Sequence, residues 1–438
     1  MTGPAKTLIG FETELFTLTA NGEVANRADR ILRQAPPHKY AAIKKECAEN
    51  LIEVVGEPEG EPLFSVGHLL AGMETALILA EKNETLLCPL GTYPGDMMPA
   101  MRKETRYRIQ EAIFGKRKWS IAGRCAGFHC HHSLPRGMFD TQLRMLRIIA
   151  HLRVKERFVN SYNLMIAADP VLTTFMQSSP YYQGHRLGKD ARAIMYRGGA
   201  PLDNSEGLYA SLEEFGGLPH YKPTALDIHE IISSRYDAWK ALLKKTGINL
   251  KTLSLYGSTL DPAWNPVKVN AHGTLEQRGM DMNHPQHLLA AGFLIKYGLK
   301  RLEGEAYTVL ASEIGIQEPF KVEGETIHVP PFAHVRDVLQ KRSAYGGMED
   351  DSVHEYCGAF LKMASVFIPS DRRKFIAPFR EMVEERRTVS DEIISFAKRR
   401  GGAQERIDEM LAREIALRHA GRLRSEIEKS GKMILDLF

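Results

Sequence analysis

The chain has 438 residues, 43% hydrophobic and 26% charged, with a formal net charge of +4. That composition fits a soluble globular protein able to bury a core without disulfides or metals, and so small a charge argues against a nucleic-acid or membrane-surface role. Five cysteines (Cys47, Cys88, Cys125, Cys130 and Cys357), with no C-x-x-C pair, fit reduced thiols in a cytoplasm better than a disulfide framework. The first residues do not read as a signal peptide, and no run of 18 apolar residues suggests a membrane span. The length admits two domains or one elaborated one.

Residues 7–18 (TLIGFETELFTL) alternate and are rich in β-formers, so a strand is expected. Residues 38–58 change character midway and should include a second strand ending near Gly56. Residues 65–83 carry Leu69, Leu70, Met73, Ala76, Leu77 and Ala80 at helical spacing. Residues 85–95 read as a short strand entering a Pro/Gly loop. Residues 104–115 read as a helix closed by Gly115, and 119–135 as a strand ended by Pro135. A helix is expected over 139–176, interrupted at Asp169-Pro170. Residues 177–204 have loop composition, and ordered loops of that length are usually functional or mobile. A helix follows at 225–247, then strand, loop and strand over 251–283, then a helix at 285–304. From about residue 370 the chain is charged and helical, with Ile407, Leu411 and Ile415 every four residues. This tail should pack on the body or on a second subunit, which leaves room for a homodimer.

Neither G-x-x-x-x-G-K-[ST] nor G-x-G-x-x-G occurs, so any ATP is not held by a P-loop or a Rossmann turn. The candidate chemistry lies in carboxylates. Glu12 and Glu14, two apart on a strand, project from one face about 6.6 Å apart. Phe11, Thr13 and Leu15 take the other face. The plain alternative is a solvent-facing edge. A second cluster holds Glu46, Glu49 and Glu53. Glu53 is flanked by Leu51, Ile52, Val54 and Val55, where an acid is costly to bury unless paired or metal-bound. A third segment puts Glu276 and Arg278 on one strand face, as an ion pair or as a site for a metal and an anion.

The segment GFHCHHSL, residues 127–134, invites a zinc reading. On a strand, however, His129 and His131 face one way while Cys130 and His132 face the other, so the ligands do not converge. One imidazole of that face, His129 or His131, added to several acids is an oxygen-dominated set that suits Mg²⁺ or Mn²⁺.

In order, Gly10-Phe11-Glu12-Thr13-Glu14, Glu46-Cys47-Ala48-Glu49-Asn50-Leu51-Ile52-Glu53, Gly127 to Pro135, and Leu275 to Asn283 resemble the glutamate–cysteine ligase family. The matches span residues 8–285. The resemblance implies an α+β, glutamine-synthetase-like catalytic fold: a curved antiparallel sheet cradle backed by helices, here over residues 1–370. A helical extension follows at 371–438. It implies Glu12, Glu14, Glu46, Glu53, His129 and Glu276 as Mg²⁺ (or Mn²⁺) ligands, with Glu53 and Arg278 catalytic and Arg278 on the transferred phosphoryl group. Glu46 stands where the family often has Asp. His131 and His132 receive no role. Residues 178–199 become the natural lid and substrate-binding segment, with Arg192 or Arg197 on the acid's carboxylate. The substrates implied are ATP, L-glutamate and an amine, cysteine by family default. The alternatives are an inactive nucleotide or amino-acid binding protein and a guanidine phosphotransferase.

Overall fold

The computed structural model describes residues 7–37, 39–249, 251, 258–304, 307–401 and 405–437. Its main sheet contains β1 (Ile9–Leu18), β2 (Ala41–Lys45), β3 (Leu51–Gly56), β4 (Leu86–Cys88), β5 (Gly127–Ser133), β6 (Val267–Asn270) and β7 (Thr274–Asp281). The strand order is β6-β7-β5-β1-β3-β2, with β4 also on β1, and every pairing is antiparallel. β1 is therefore a central strand and not a solvent-facing edge.

The principal helices are α1 (Pro62–Lys82), α2 (Thr105–Trp119), α3 (Leu152–Phe175), α4 (Ala191–Tyr196), α5 (Ala225–Lys245), α6 (Pro285–Gly304), α7 (Asp351–Ser365), α8 (Ala377–Glu385), α9 (Val389–Arg399) and α10 (Glu409–Leu435). The alternation on β1 decides where they go. Phe11, Thr13 and Leu15 are fully buried on the face packed against α1 and α6. Close packing there needs Gly292 on α6, since a Cβ would lie 2.6 Å from the Phe11 ring. α1 is long and apolar enough to cross a bilayer. It lies instead against the sheet, with Leu69, Met73, Ala76 and Ala80 buried.

Several expectations are corrected. The helix expected to close at Gly115 breaks there, at φ 77°, but resumes to Trp119. Residues 139–146 form a short hairpin, and α3 begins only at Leu152. Asp169-Pro170 does not interrupt α3. Burial of every residue from Tyr162 to Phe175 outweighs the one backbone hydrogen bond that proline removes. Residues 177–204 are not all loop, and most of them are buried. They hold a two-residue hairpin and α4, and are tied into the core where Ser178 donates to the Met282 carbonyl and Lys189 pairs with buried Asp391. The first strand expected within 251–283 falls largely on residues 252–257, outside the described residues.

In the tail, Ile407, Leu411 and Ile415 are buried. α10 packs on α1, α6 and β4, so the tail shares one hydrophobic core with the sheet.

Candidate active site

Cross-strand register gathers the polar residues on the face of the sheet opposite α1 and α6. Glu14 stands opposite Glu53, and Glu53 opposite Lys44. Glu12 stands opposite His129. His131 stands opposite Glu276, and Glu276 opposite Lys268. Period-two alternation keeps these side chains on one face. Between Gln277 and Met280 the ladder with β5 slips at a bulge. Such irregularities re-aim side chains. Arg278 lies in this one, and its Nη1 donates to Glu276 Oε1 at 3.1 Å.

One oxygen of Glu12, Oε2, lies 3.4 Å from His129 Nδ1 and 3.5 Å from His131 Nε2. His129 Nε2 lies 3.7 Å from Glu14 Oε1, and the other Glu14 oxygen accepts from the Gly127 amide at 2.6 Å. Glu276 Oε2 accepts from Asn270 Nδ2 at 2.5 Å. Glu46, just past β2, accepts from the Cys47 amide at 2.8 Å. Glu12, Glu53 and His129 each offer a ligand atom within 4.8 Å of the others, and His129 Nε2 is buried without a hydrogen-bond partner. This donor set fits a divalent cation.

Electrostatics point the same way. Burial pushes the Glu53 carboxyl well above its ordinary range, and the charges of Glu12, Glu46 and Glu14 add to it. Burial also raises Glu14 and, together with the Glu14 charge, Glu46. At Glu12 burial works upward, but the imidazoles of His129 and His131 outweigh it and hold the carboxyl well below its usual range. At Glu276 burial is likewise overcome, by Arg278, His131 and Lys268, and the pKa falls to about 2. Glu276 thus has cationic partners, and burial at Glu14 is partly offset by Arg192 and Arg278, whereas Glu46 and Glu53 crowd the other carboxylates in a poorly solvated place. Such crowding is relieved by protonation or by a cation.

A cavity of about 270 Å³ opens beside this cluster, bordered by Glu14, Glu46, Arg192, Tyr196, Lys268 and Arg278. Around it, Gln110 Oε1, Trp119 Nε1 and Arg192 Nε are buried without hydrogen-bond partners. Arg192 reaches in because Gly127 makes room: a Cβ there would lie 2.3 Å from Nη2. Its Nη1 and Nη2 donate to the carbonyls of Gly279 and Arg278 at 3.1 and 3.3 Å. Arg197, the other arginine expected on the substrate, does not join it. Its guanidinium is taken up by fully buried Asp169, at 2.5 and 3.0 Å, and by Gln340 at 2.8 Å. A cation so committed holds α4 to α3 and has no fork left for a ligand.

No family model and no curated protein matches this chain. Solved structures do. A glutamate–cysteine ligase from Francisella tularensis, in complex with AMP, superposes with a TM-score of 0.57 at 15% identity, covering 98% of this chain and 93% of that one. A bifunctional glutathione synthetase from Pasteurella multocida superposes with a TM-score of 0.55 at 14% identity, covering 95% of this chain. The chain spans about half of that protein's length, 52%. The fold is that of a glutamate–cysteine ligase. In this ligase-like fold the sheet of seven strands turns its apolar face to the helices, and from its polar face Glu14, Lys268 and Arg278 border the cavity.

Sequence reasoning missed Lys268, Asn270 and the aromatic wall that includes Trp119 and Trp264, and left His131 without a role. Lys268, flanked by Val267 and Val269, carries the same signal as Glu53: a charge inside an apolar strand. Nothing local marks Trp119 or Trp264.

Proposed function

We propose that the protein is an ATP-dependent carboxylate–amine ligase that activates the side-chain carboxylate of L-glutamate and joins it to an amine, cysteine by family default. One observation carries the reading. Glu12, Glu14, Glu53, Glu276, His129 and Arg278 converge on one sheet face, beside a cavity bordered by Glu46 and Arg192. A fold matching a glutamate–cysteine ligase over nearly its whole length supports it.

The chemistry fits these groups. A carboxylate is a poor acylating agent. Its oxygen attacks the γ-phosphorus of ATP, the bond to ADP breaks, and an acyl phosphate forms. The amine nitrogen then attacks the carbonyl carbon, phosphate leaves, and the nitrogen loses a proton. Glu12, Glu14, Glu46, Glu53, His129 and Glu276 would hold Mg²⁺ or Mn²⁺. Such ions, when bound, neutralise the charge shared by nucleotide and acid. Arg278, held charged against burial by Glu276, Tyr196 and Glu14, stabilises the transferred phosphoryl group. Arg192 binds the acid's carboxylate. Trp119, Tyr196 and Trp264 restrict water around the acyl phosphate.

The test incubates the protein with ATP, Mg²⁺ and L-glutamate, with and without amines led by L-cysteine, and follows phosphate release and product mass. Phosphate formed only with both substrates, a product equal to their sum minus water, and inactive Glu53→Gln and Arg278→Ala variants are expected. ADP without free phosphate would replace the reading with a phosphotransferase, and nucleotide binding without turnover with a binding protein.

A further inference from the structure

We infer that His131 is a second imidazole ligand of the cation cradle, beside Glu12 and Glu276, and that it turns the cradle's preference from Mg²⁺ toward Mn²⁺. The inference rests on the ligase reading only in that the cradle holds a divalent cation.

Four observations carry it. First, His131 shares the acid face of β5 with His129 and stands opposite Glu276 on β7. Second, its Nε2 lies 3.5 Å from the same Glu12 oxygen that His129 approaches at 3.4 Å. Neighbouring ligands of an octahedral ion, each about 2.1 Å from it, stand about 3 Å apart. The two Glu12 gaps need to close by only about half an ångström, whereas His131 lies outside the Glu12, Glu53 and His129 set and must also turn toward it to share one ion. Third, Nδ1 lies 3.0 Å from Thr274 Oγ1. That hydroxyl can accept the Nδ1 proton, which leaves the Nε2 lone pair facing the acids. A metal-binding imidazole is ordinarily oriented by such a bond on its far nitrogen. Fourth, Nε2 is buried and has no hydrogen-bond partner.

The plainer role is an imidazolium paired with Glu12: burial works against it, but the charges of Glu276 and Glu12 outweigh burial and raise the His131 pKa. A divalent cation in the cradle would take the place of that proton. The adjacent His132 provides the contrast. It points to the other face, where its Nε2 lies 3.5 Å from Glu303, an acid already paired with Lys296 and Lys300. His132 Nε2 is likewise buried without a hydrogen-bond partner; what separates the two is the acid, since lysines already pair with Glu303 whereas among the described residues no lysine or arginine pairs with Glu12.

The chemical consequence follows from donor type. Mg²⁺ favours oxygen donors and gives up its water reluctantly, while first-row transition ions accept imidazole more readily. Two imidazoles among carboxylates make this set richer in nitrogen than an all-oxygen one.

The test uses the full chain, freed of metal and without nucleotide. Mn²⁺ and Mg²⁺ binding are titrated. Pulsed electron paramagnetic resonance counts the imidazole nitrogens bound directly to Mn²⁺. Two nitrogens are expected in the wild type and one in His131→Asn. The substitution should weaken Mn²⁺ binding at least about tenfold and Mg²⁺ binding under about threefold. One nitrogen in the wild type, equal losses for both ions, or no Mn²⁺ binding would overturn the inference. Should His131→Asn not fold, the wild-type count decides, and Thr274→Val, which keeps the ring but removes its hydroxyl partner, should weaken Mn²⁺ more than Mg²⁺. Ligation intact with a single nitrogen sinks this inference alone. Two nitrogens without ligation on any acid–amine pair sink the ligase reading alone.

Discussion

Two clusters of histidines among the described residues differ in what surrounds them. His129 and His131 on β5 face Glu12, Glu14 and Glu276, with their Nε2 atoms unpartnered. His284, His287 and His419, where α6 meets α10, face one another. His284 Nε2 and His419 Nδ1 are 2.9 Å apart, and His287 Nδ1 is 2.9 Å from Asn283 Oδ1. Burial, reinforced by the Arg422 charge, pushes His287 and His419 down to about 3, so both stay neutral. A cavity of about 290 Å³ adjoins this second group as well. Burial of an imidazole beside a cavity therefore does not mark a metal site. What sets the first group apart is the cluster of carboxylates around it, with Glu46 and Glu53 raised by burial and by one another's company.

The largest expected effects separate the two groups by function. Glu53→Gln should lower ligation about 10³-fold or more, roughly 4 kcal/mol of transition-state stabilisation. His419→Ala should leave the initial rate of phosphate release within about threefold. Equal losses in both variants would erase the distinction. The two arginines sharpen it on the side of stability. Arg197→Ala strands the buried Asp169 carboxylate and should cost about 3–5 kcal/mol in urea unfolding. Arg192→Ala should instead raise the KM for the acid substrate with a far smaller loss of stability. His419→Ala breaks the contact with His284 and opens space in the core, so a loss of about 1–3 kcal/mol is expected by the same unfolding measurement.

The smallest effect concerns acidity. Burial, then the charges of Glu12, Glu46 and Glu14, hold the Glu53 proton more tightly in the folded chain than in the unfolded one. The metal-free protein should therefore lose stability as pH rises from about 4.5 toward the folded pKa. Glu53→Gln removes that loss. Between pH 5 and pH 8 the metal-free variant should lose less Tm than the wild type, by a degree or two. A larger drop in the variant would show that Glu53 already has a counter-charge in the fold.

Much of the site was legible residue by residue. Glu12 and Glu14 on one face of a strand, and Glu53 inside an apolar run, both followed from alternation and from the cost of burying an acid. His129 was legible through the same alternation, which also ruled out zinc ligation by consecutive residues. His131 was legible as a member of the same face but was left without a role, because Glu276 and Thr274, far off in sequence, meet it only through strand pairing. Arg197 misled for the same reason. A guanidinium in a polar segment looks available until Asp169, inside α3, takes it. The segment around it read as a lid because Ser, Pro and Gly suggest mobility, while its burial comes from contacts with Met282 and Asp391.

The sequence by itself determined which side chains share a face, since backbone geometry alternates successive residues across a strand. It also determined that the acid face must meet a cation, water or protons. Only the tertiary structure decided which face members meet. Antiparallel pairing places Glu12 against His129 and Glu276 against His131, and the slip after Gln277 re-aims Arg278. Register is a property of paired strands, set by how their apolar sides fit the core, so no single strand contains it.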